Sequence, residues 1–214
     1  RGEGINLNTK LSLSEQTVKG FFEYTHPNFA YSDRALSTSL ESSVTDKLTD
    51  FGYKSSLNKV SLGTRYEQFE DTFFSPSLSI ASENLETTSS ASAAYKKQEG
   101  SYFDTNFDYT LTYDKRNSVY QPSSGFYSSW YQQLPVISEN QTIINGYTIT
   151  GYKEVADDMV VSSGIYSRAI NSLTNDDVRV SRRIYAPTSR LRGFESGKVG
   201  PVDGTDHIGG NYVV

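Results

Sequence analysis

Side chains that could carry out catalysis are few in this sequence. His26 and His207 are its only histidines, both in predicted turns or loops, and cysteine is absent. Asp203, Asp206 and His207 could be imagined as metal ligands, but an Asp-x₂-Asp-His spacing fixes no ligand geometry. Serines are abundant, yet none has a positioned base that would make it a nucleophile. The sequence therefore predicts no catalytic residue and no metal site.

A second group of residues suits docking rather than catalysis. It lies in the stretch 171–209, which is too long for an ordinary hairpin loop, and loops of that length are usually functional or disordered. Arg192 can bind a carboxylate through two parallel hydrogen bonds, Gly193 permits a tight turn, and Phe194 can wedge into a packed surface. We interpret the stretch as a loop folded back and anchored, although an ordinary charged surface loop explains the same composition equally well.

Alternation of apolar and polar residues is the dominant pattern of the chain, and it predicts the elements that carry these side chains. In the clearest run, apolar residues and threonine from Phe103 to Tyr113 alternate with polar residues from Asp104 to Asp114. No helical spacing is sustained anywhere. The predicted strands are Ile5–Leu13, Val18–Thr25, Leu36–Val44, Val60–Glu67, Phe74–Glu83, Phe103–Asp114, Phe126–Leu134, Ile143–Tyr152, Met159–Arg168 and one that begins near Gly210.

Composition favours a membrane barrel for these strands. Hydrophobic residues make up 36% of the chain and the mean hydropathy is −0.53, so no run approaches the roughly 18 apolar residues of a spanning helix. Tyrosine (16) and phenylalanine (11) are nevertheless plentiful. A barrel strand needs only alternate apolar residues, and aromatic side chains favour the membrane interface. The predicted fold class is all-β, a transmembrane antiparallel β-barrel segment of about ten strands; alternation alone leaves a soluble β-sandwich or β-solenoid open.

The lengths of the predicted connections are typical of a bacterial barrel, and the net charge argues against a nucleic-acid partner. Compact links near 27–34, 67–72 and 154–158 are interspersed with longer ones at 83–101 and 171–209, and bacterial barrels usually have short turns at one rim and long loops at the other. The net charge is −5 and no basic stripe is present, so nucleic acid is not an expected partner.

Three motifs in order give the chain a resemblance to a known family. Arg192-Gly193-Phe194, with Gly200-Pro201 and Gly209-Gly210 after it, resembles the sixth-loop signature of the bacterial surface antigen family of outer-membrane assembly and translocation barrels. A second match resembles the family's link between two mid-barrel strands; it consists of Asp114, Arg116, Pro122 and Gly125. A third and weaker match is Gly2-Glu3-Gly4 followed by the turn after Tyr24.

The resemblance implies an architecture. Family barrels have sixteen strands preceded by periplasmic POTRA domains, so residues 1–214 would be a partial barrel from about the third to the start of the twelfth strand, with 171–209 as an inward-folding loop. The POTRA domains and the C-terminal strands would lie outside this sequence. Arg192, Gly193, Phe194, Gly200 and Pro201 would dock the loop, Gly209 and Gly210 would lead into the strand after it, and the second motif would shape a periplasmic turn.

The resemblance also implies a function. The chain would belong to the core component of outer-membrane protein assembly, which folds and inserts β-barrel proteins without a cofactor and without being an enzyme. Its location would be the bacterial outer membrane. Its partners would be outer-membrane lipids, nascent outer-membrane proteins, the lipoproteins of the assembly complex and periplasmic chaperones. The alternatives are a sibling translocator of the same family, a passive porin-type barrel and a soluble adhesin-type β domain.

Overall fold

The protein is described by a computed structural model that covers residues 4–89, 91–187, 190–195, 197–204 and 206–214. The expected motif residues Gly2 and Glu3 lie outside these ranges. Ten strands form one antiparallel sheet in which each strand pairs with its neighbours in chain order. They are β1 (Asn6–Leu13), β2 (Thr17–His26), β3 (Ala35–Lys47), β4 (Tyr53–Phe69), β5 (Thr72–Thr87), β6 (Gly100–Asp114), β7 (Ser124–Ser138), β8 (Thr142–Ala156), β9 (Met159–Ser172) and β12 (Tyr212–Val213).

The connections carry the remaining elements. Two single-turn helices, α1 (Leu48–Phe51) and α2 (Ala93–Lys96), follow β3 and β5. A small hairpin of β10 (Val202–Asp203) and β11 (Asp206–His207) lies between β9 and β12. Short 3₁₀ turns occur at Phe29–Tyr31 and Val180–Arg182. No helix in the described part of the chain is long and apolar enough to span a membrane.

All ten predicted strands are present, and several are longer than the alternation indicated. β4 begins at Tyr53 rather than Val60, and β5 continues to Thr87, so the expected loop 83–101 is confined to residues 88–99. The long connection runs over residues 173–211 instead of 171–209. Hydrophobic alternation changes at these strand ends because the outer face becomes polar there and the apolar side chains of Tyr53 and Leu85 lie on the inner face, whereas the backbone ladder continues without regard to side-chain type.

The two faces of the sheet differ in chemistry. One face, called the outer face, exposes the apolar side chains, because successive residues of a strand point to opposite sides. Its large exposed residues in the middle of the sheet are Leu40, Val60, Leu62, Leu78, Ile80, Phe103, Leu111, Trp130 and Ile165. The opposite, inner face presents polar residues; those that are buried include Ser79, Glu83, Asp104, Asn106, Asp108 and Gln133.

Aromatic side chains form a row across adjacent strands of the outer face. The ring of Phe74 lies 5.9 Å from that of Tyr66 and 5.9 Å from that of Tyr109, whose ring is 5.8 Å from that of Trp130. The pairs Tyr66–Phe74 and Tyr109–Trp130 are edge-to-face, an arrangement that stabilises neighbouring strands by about 0.5–1.5 kcal/mol for each pair. The row lies toward the rim formed by the connections 70–71 and 115–123.

Candidate functional site

The first part of the long connection lies against the inner face of the sheet. Val180 is fully buried in a cluster with Tyr53, Leu85 and Tyr95, and Val178 is buried against Ile144 and Ile170. Burial of a valine side chain contributes about 1.5–3 kcal/mol. The alternation of Val178 and Val180 thus continues the strand-like pattern into the connection, and both apolar side chains contact the wall of the sheet.

Between these two valines, Arg179 is held by two wall carboxylates. Its Nη1 donates to Oε2 of Glu83 on β5 at 3.0 Å, and its Nη2 donates to Oδ2 of Asp104 on β6. All three side chains are almost completely buried: 1% of the Arg179 side chain is exposed, 6% of Glu83 and 1% of Asp104. The guanidinium also lies 4.3 Å from the ring centre of Tyr102, on whose face a cation is attracted.

A second arginine completes the cluster. Nη2 of Arg182 donates to the same oxygen of Asp104 at 2.5 Å, and its Nη1 donates to Oγ1 of Thr142 at 3.1 Å. We call Glu83, Asp104, Arg179 and Arg182 the anchor cluster. It contains two negative and two positive charges, so it is electrically balanced.

Hydroxyl groups of the wall satisfy the remaining oxygens of the anchor cluster. Ser55 donates to Oε1 of Glu83 at 2.7 Å, and Ser138 donates to Oδ1 of Asp104. The backbone N–H of Val180 donates to Oε1 of Gln98 at 2.8 Å. Burial and the neighbouring Arg179 charge lower the pKa of Arg182, whereas Asp104 and Glu83 oppose that shift. Buried charges are costly unless they are both paired and hydrogen-bonded. Each charge of this cluster has an ionic partner and hydrogen bonds, while Nε of Arg179 is buried without a hydrogen-bond partner among the described residues.

A separate carboxylate on the wall is held by neutral groups. Asp108, which is 6% exposed, accepts hydrogen bonds from Ser79 at 2.8 Å, Tyr131 at 2.9 Å and Gln133 at 2.6 Å. These donors come from β5 and β7, the two strands that flank Asp108 on β6. The carboxylate therefore ties three strands together on the inner face.

A cavity of about 470 Å³ remains between the wall and the anchored segment. Its lining is mixed; the polar residues in it include Lys59, Asn106, Arg168 and Arg183, and the apolar ones include Leu57 and Ile144. The Oδ1 atom of Asn106 is buried without a hydrogen-bond partner among the described residues. The anchored segment therefore lies on the wall without filling the space beside it.

The turn motif is brought together at the opposite rim. Nε and Nη2 of Arg116 donate to the two carboxylate oxygens of Asp114 at 2.8 Å and 2.6 Å, which raises the pKa of Arg116. Gly125 has φ +91°, and a Cβ there would lie 2.0 Å from the carbonyl oxygen of Lys115, so only glycine fits. Pro122 is half-buried in the same turn.

The Arg192-Gly193-Phe194 segment lies away from the wall. All three residues are exposed, and Arg192 forms no ion pair or side-chain hydrogen bond with the described residues. Gly193 has φ +87° with open space around it. Gly200 and Pro201 are exposed as well, while Ser196 lies outside the described residues.

Gly209 and Gly210 contact the anchored part of the connection. Gly210 exchanges two backbone hydrogen bonds of 2.8 Å with Ile184. Gly209 has φ +66°, and a Cβ there would lie 3.0 Å from the ring of Tyr185. The hydroxyl of Tyr185 in turn donates to the carbonyl oxygen of His207 at 3.0 Å. The end of the connection is thus paired with its beginning.

The sequence pattern pointed to Arg192 as the docking arginine and missed Arg179 and Arg182. One signal could have found them. Val178, Val180 and Ile184 are apolar residues of a kind that is unusual in a solvated loop, and the two arginines lie among them. Glu83 and Asp104 stand on the polar face of two adjacent strands, but their diagonal placement, with Glu83 opposite Tyr102 and Asp104 opposite Ala81, depends on a pairing register that neither strand sequence shows alone.

Comparisons with known proteins agree with this architecture. The model of the Omp85 superfamily domain matches residues 1–214. Among solved structures, the crystal structure of BamA from Haemophilus ducreyi lacking POTRA domains 1–3 superposes with a TM-score of 0.84 at 19% sequence identity. The match covers 99% of this chain and 46% of that chain, so this chain spans less than half the length of that structure. A search of curated proteins found no match.

Proposed function

Because the chain belongs to the Omp85 superfamily, whose members are outer-membrane assembly and translocation barrels and not enzymes, we propose that it is part of a BamA-type core component that folds and inserts β-barrel proteins into the outer membrane. The observation that carries this proposal is the long connection after β9, which packs on the inner face through the anchor cluster while Arg192, Gly193 and Phe194 stay exposed. A passive porin-type barrel has no need of such an exposed motif.

The physical problem that such a component addresses is the backbone of its substrate. A nascent strand cannot enter hydrocarbon with unpaired N–H and C=O groups, since each costs several kcal/mol. A barrel that offers a strand edge as a template lets the substrate pair as it enters. In this proposal, β2–β9, each paired on both sides, are the static wall of the barrel.

We assign the two rims by the lengths of their connections, because bacterial barrels have their longest loops on the exterior side. The rim with the connections 27–34, 70–71, 115–123 and 157–158 would face the periplasm. The rim with the two longest connections, 88–99 and 173–211, would face the exterior. Asp114, Arg116, Pro122 and Gly125 would then shape a periplasmic turn. Outer-membrane lipids would contact the apolar outer face, and the aromatic row would lie at the membrane interface near the periplasm.

The docking role of the exposed motif belongs to the same proposal. Arg192 would bind acidic residues of wall strands that are not part of this sequence, with Gly193 providing the turn and Phe194 the apolar contact. Gly200 and Pro201 would shape the return of the loop. The further partners, which are nascent outer-membrane proteins, lipoproteins of the assembly complex and periplasmic chaperones, follow from the assembly role.

The test replaces the native copy of the full-length protein by the Arg192→Ala variant. We expect the amount of heat-modifiable, folded outer-membrane proteins to fall, because the loop loses its docking contact. Glu195→Gln, an exposed residue of the same loop, is the matched control and should leave that amount unchanged. Normal assembly with Arg192→Ala would contradict the docking role.

Depletion of the full-length protein separates the proposed function from its alternatives. A general loss of folded outer-membrane proteins supports the assembly role. Loss of a single secreted partner, with other barrels intact, would instead identify a partner-secretion translocator, and loss of a small subset of barrels a TamA-like factor. Altered small-solute uptake alone would indicate a porin. The number of POTRA domains encoded upstream provides an independent check.

A further inference from the structure

We infer that the anchor cluster is a latch that positions the first part of the long connection on the wall, separately from the Arg192-Gly193-Phe194 motif. The latch consists of Glu83, Asp104, Arg179 and Arg182. Its structural part does not depend on the proposed function. Its functional part, that the latch positions the connection for barrel assembly, rests on the assembly role proposed above.

Burial is the first argument for the latch. Arg179 is the largest fully buried side chain among the described residues, and it comes from a connection rather than from a strand. A guanidinium enters such a place only when both carboxylate contacts and ring contacts replace its water. The contacts to Glu83, Asp104 and Tyr102 supply that replacement for Nη1, Nη2 and the face of the guanidinium.

Charge balance is the second argument. Loss of Arg179 alone would leave the buried Glu83 carboxylate with a serine donor and no cation among the described contacts. Loss of Glu83 alone would leave two guanidiniums on one carboxylate. Removing one partner of a buried pair is much more harmful than removing both, because only the single change leaves an unpaired buried charge. The latch therefore predicts a specific rescue by a double variant.

Separation from the Arg192 motif is the third argument. The residues from Val178 to Tyr185 are buried or half-buried, and Arg179, Arg182 and Ile184 are hydrogen-bonded to the wall or to Gly210, whereas Arg192, Gly193 and Phe194 are exposed. Among the described residues, no hydrogen bond or ion pair joins Arg192, Gly193 or Phe194 to the anchor cluster. The base of the connection can thus stay fixed while the motif binds and releases another surface.

The experiment measures how accessible the first part of the long connection is to a reagent in solution. Ser181 lies between the two arginines, and its hydroxyl is buried without a hydrogen-bond partner in the described part of the chain, so Ser181→Cys removes no contact. The substitution is made in the full-length protein, in a background without other cysteines. The rate at which a water-soluble maleimide labels position 181 is then measured in isolated outer membranes. Only the folded band on semi-native gels is scored.

The variants separate the latch from a general loss of folding. Arg179→Met should raise the labelling rate by about tenfold or more, because it leaves Glu83 unpaired. The double variant Glu83→Gln with Arg179→Met should return the rate toward that of the Ser181→Cys parent. Two loop controls should leave the rate unchanged: Arg190→Met, whose guanidinium stacks on Tyr166 at 4.4 Å, and Arg192→Ala.

Each outcome decides one part of the inference. An unchanged rate with Arg179→Met, or a double variant as exposed or as poorly folded as the single one, overturns the latch. Increased labelling with Arg192→Ala would contradict the independence of the latch from the Arg192-Gly193-Phe194 motif. Increased labelling with Arg179→Met and normal barrel assembly overturns the functional part alone. If depletion of the protein leaves outer-membrane proteins intact, the proposed function fails while the labelling result stands.

Discussion

Nη1 of Arg179 lies 3.0 Å from Oε2 of Glu83, although 96 residues separate them in the chain. The carboxylate belongs to a strand in the middle of the sheet, and the guanidinium belongs to the connection that follows β9. This contact, with the matching one to Asp104, joins a loop to β5 and β6 without any strand pairing between them.

The first prediction concerns Asp108 and the three neutral side chains that donate hydrogen bonds to it. Asp108→Ala leaves the donors of Ser79, Tyr131 and Gln133 without their acceptor, and buried unsatisfied donors cost about 1–3 kcal/mol each. We expect the temperature at which the folded band disappears on semi-native gels to fall clearly. Asp157→Ala, in the exposed turn before β9, is the control and should leave that temperature unchanged. Equal stability of the two variants would show that the hydrogen bonds to Asp108 do not stabilise the packing of the three strands.

Backbone strain at Gly125 gives the second. Gly125→Ala would require a Cβ 2.0 Å from the Lys115 carbonyl oxygen at φ +91°, so the turn has to open. A non-glycine residue in such a conformation costs about 1–3 kcal/mol before the clash is counted. Gly151→Ala, where the nearest atom would be 4.0 Å away, is the matched control. The urea concentration that unfolds the refolded barrel in detergent should drop for Gly125→Ala and stay the same for the control.

The ion pair of the same turn gives the third. Arg116→Lys keeps the positive charge but cannot bind both oxygens of Asp114 at once, since an ammonium lacks the planar fork. We expect a loss of roughly 1 kcal/mol, because the pair is only partly buried. Lys115→Arg, at a more exposed pair with Asp71, should change stability little. A larger effect of the Lys115 variant in the same urea titration would contradict this assignment.

The two faces of the sheet give the fourth. Leu40→Arg places a charge on the exposed apolar outer face, where the cost is about 2–4 kcal/mol near the bilayer midplane. Ser39→Arg, the preceding residue of β3, places the same charge on the inner face opposite Glu23. We expect much less folded protein in the outer membrane for Leu40→Arg than for Ser39→Arg. The reverse order would mean that the lipid-facing side has been assigned to the wrong face.

The strands could be predicted well from the sequence because alternation is a local property. The pattern from Phe103 to Asp114 placed β6 within a few residues, and the predicted start of β9 at Met159 is confirmed, although β9 ends at Ser172 and not at Arg168. The strand ends were predicted less well. Beyond Glu83 the outer face is polar and the buried Leu85 lies on the inner face, while the backbone ladder to β4 continues. The strand was therefore predicted to end at Glu83, although it continues to Thr87.

The sequence by itself determined the all-β class, the ten strands of the main sheet and, for the strands with clear alternation, which face is apolar. Only the tertiary structure decided that Arg179 and Arg182, rather than Arg192, contact the carboxylates of this wall. The physical reason is the distance along the chain over which each property is decided. Strand periodicity depends on neighbours in the chain, whereas a buried charge selects its partner among all groups that the register of the sheet and the path of the loop bring within about 3 Å.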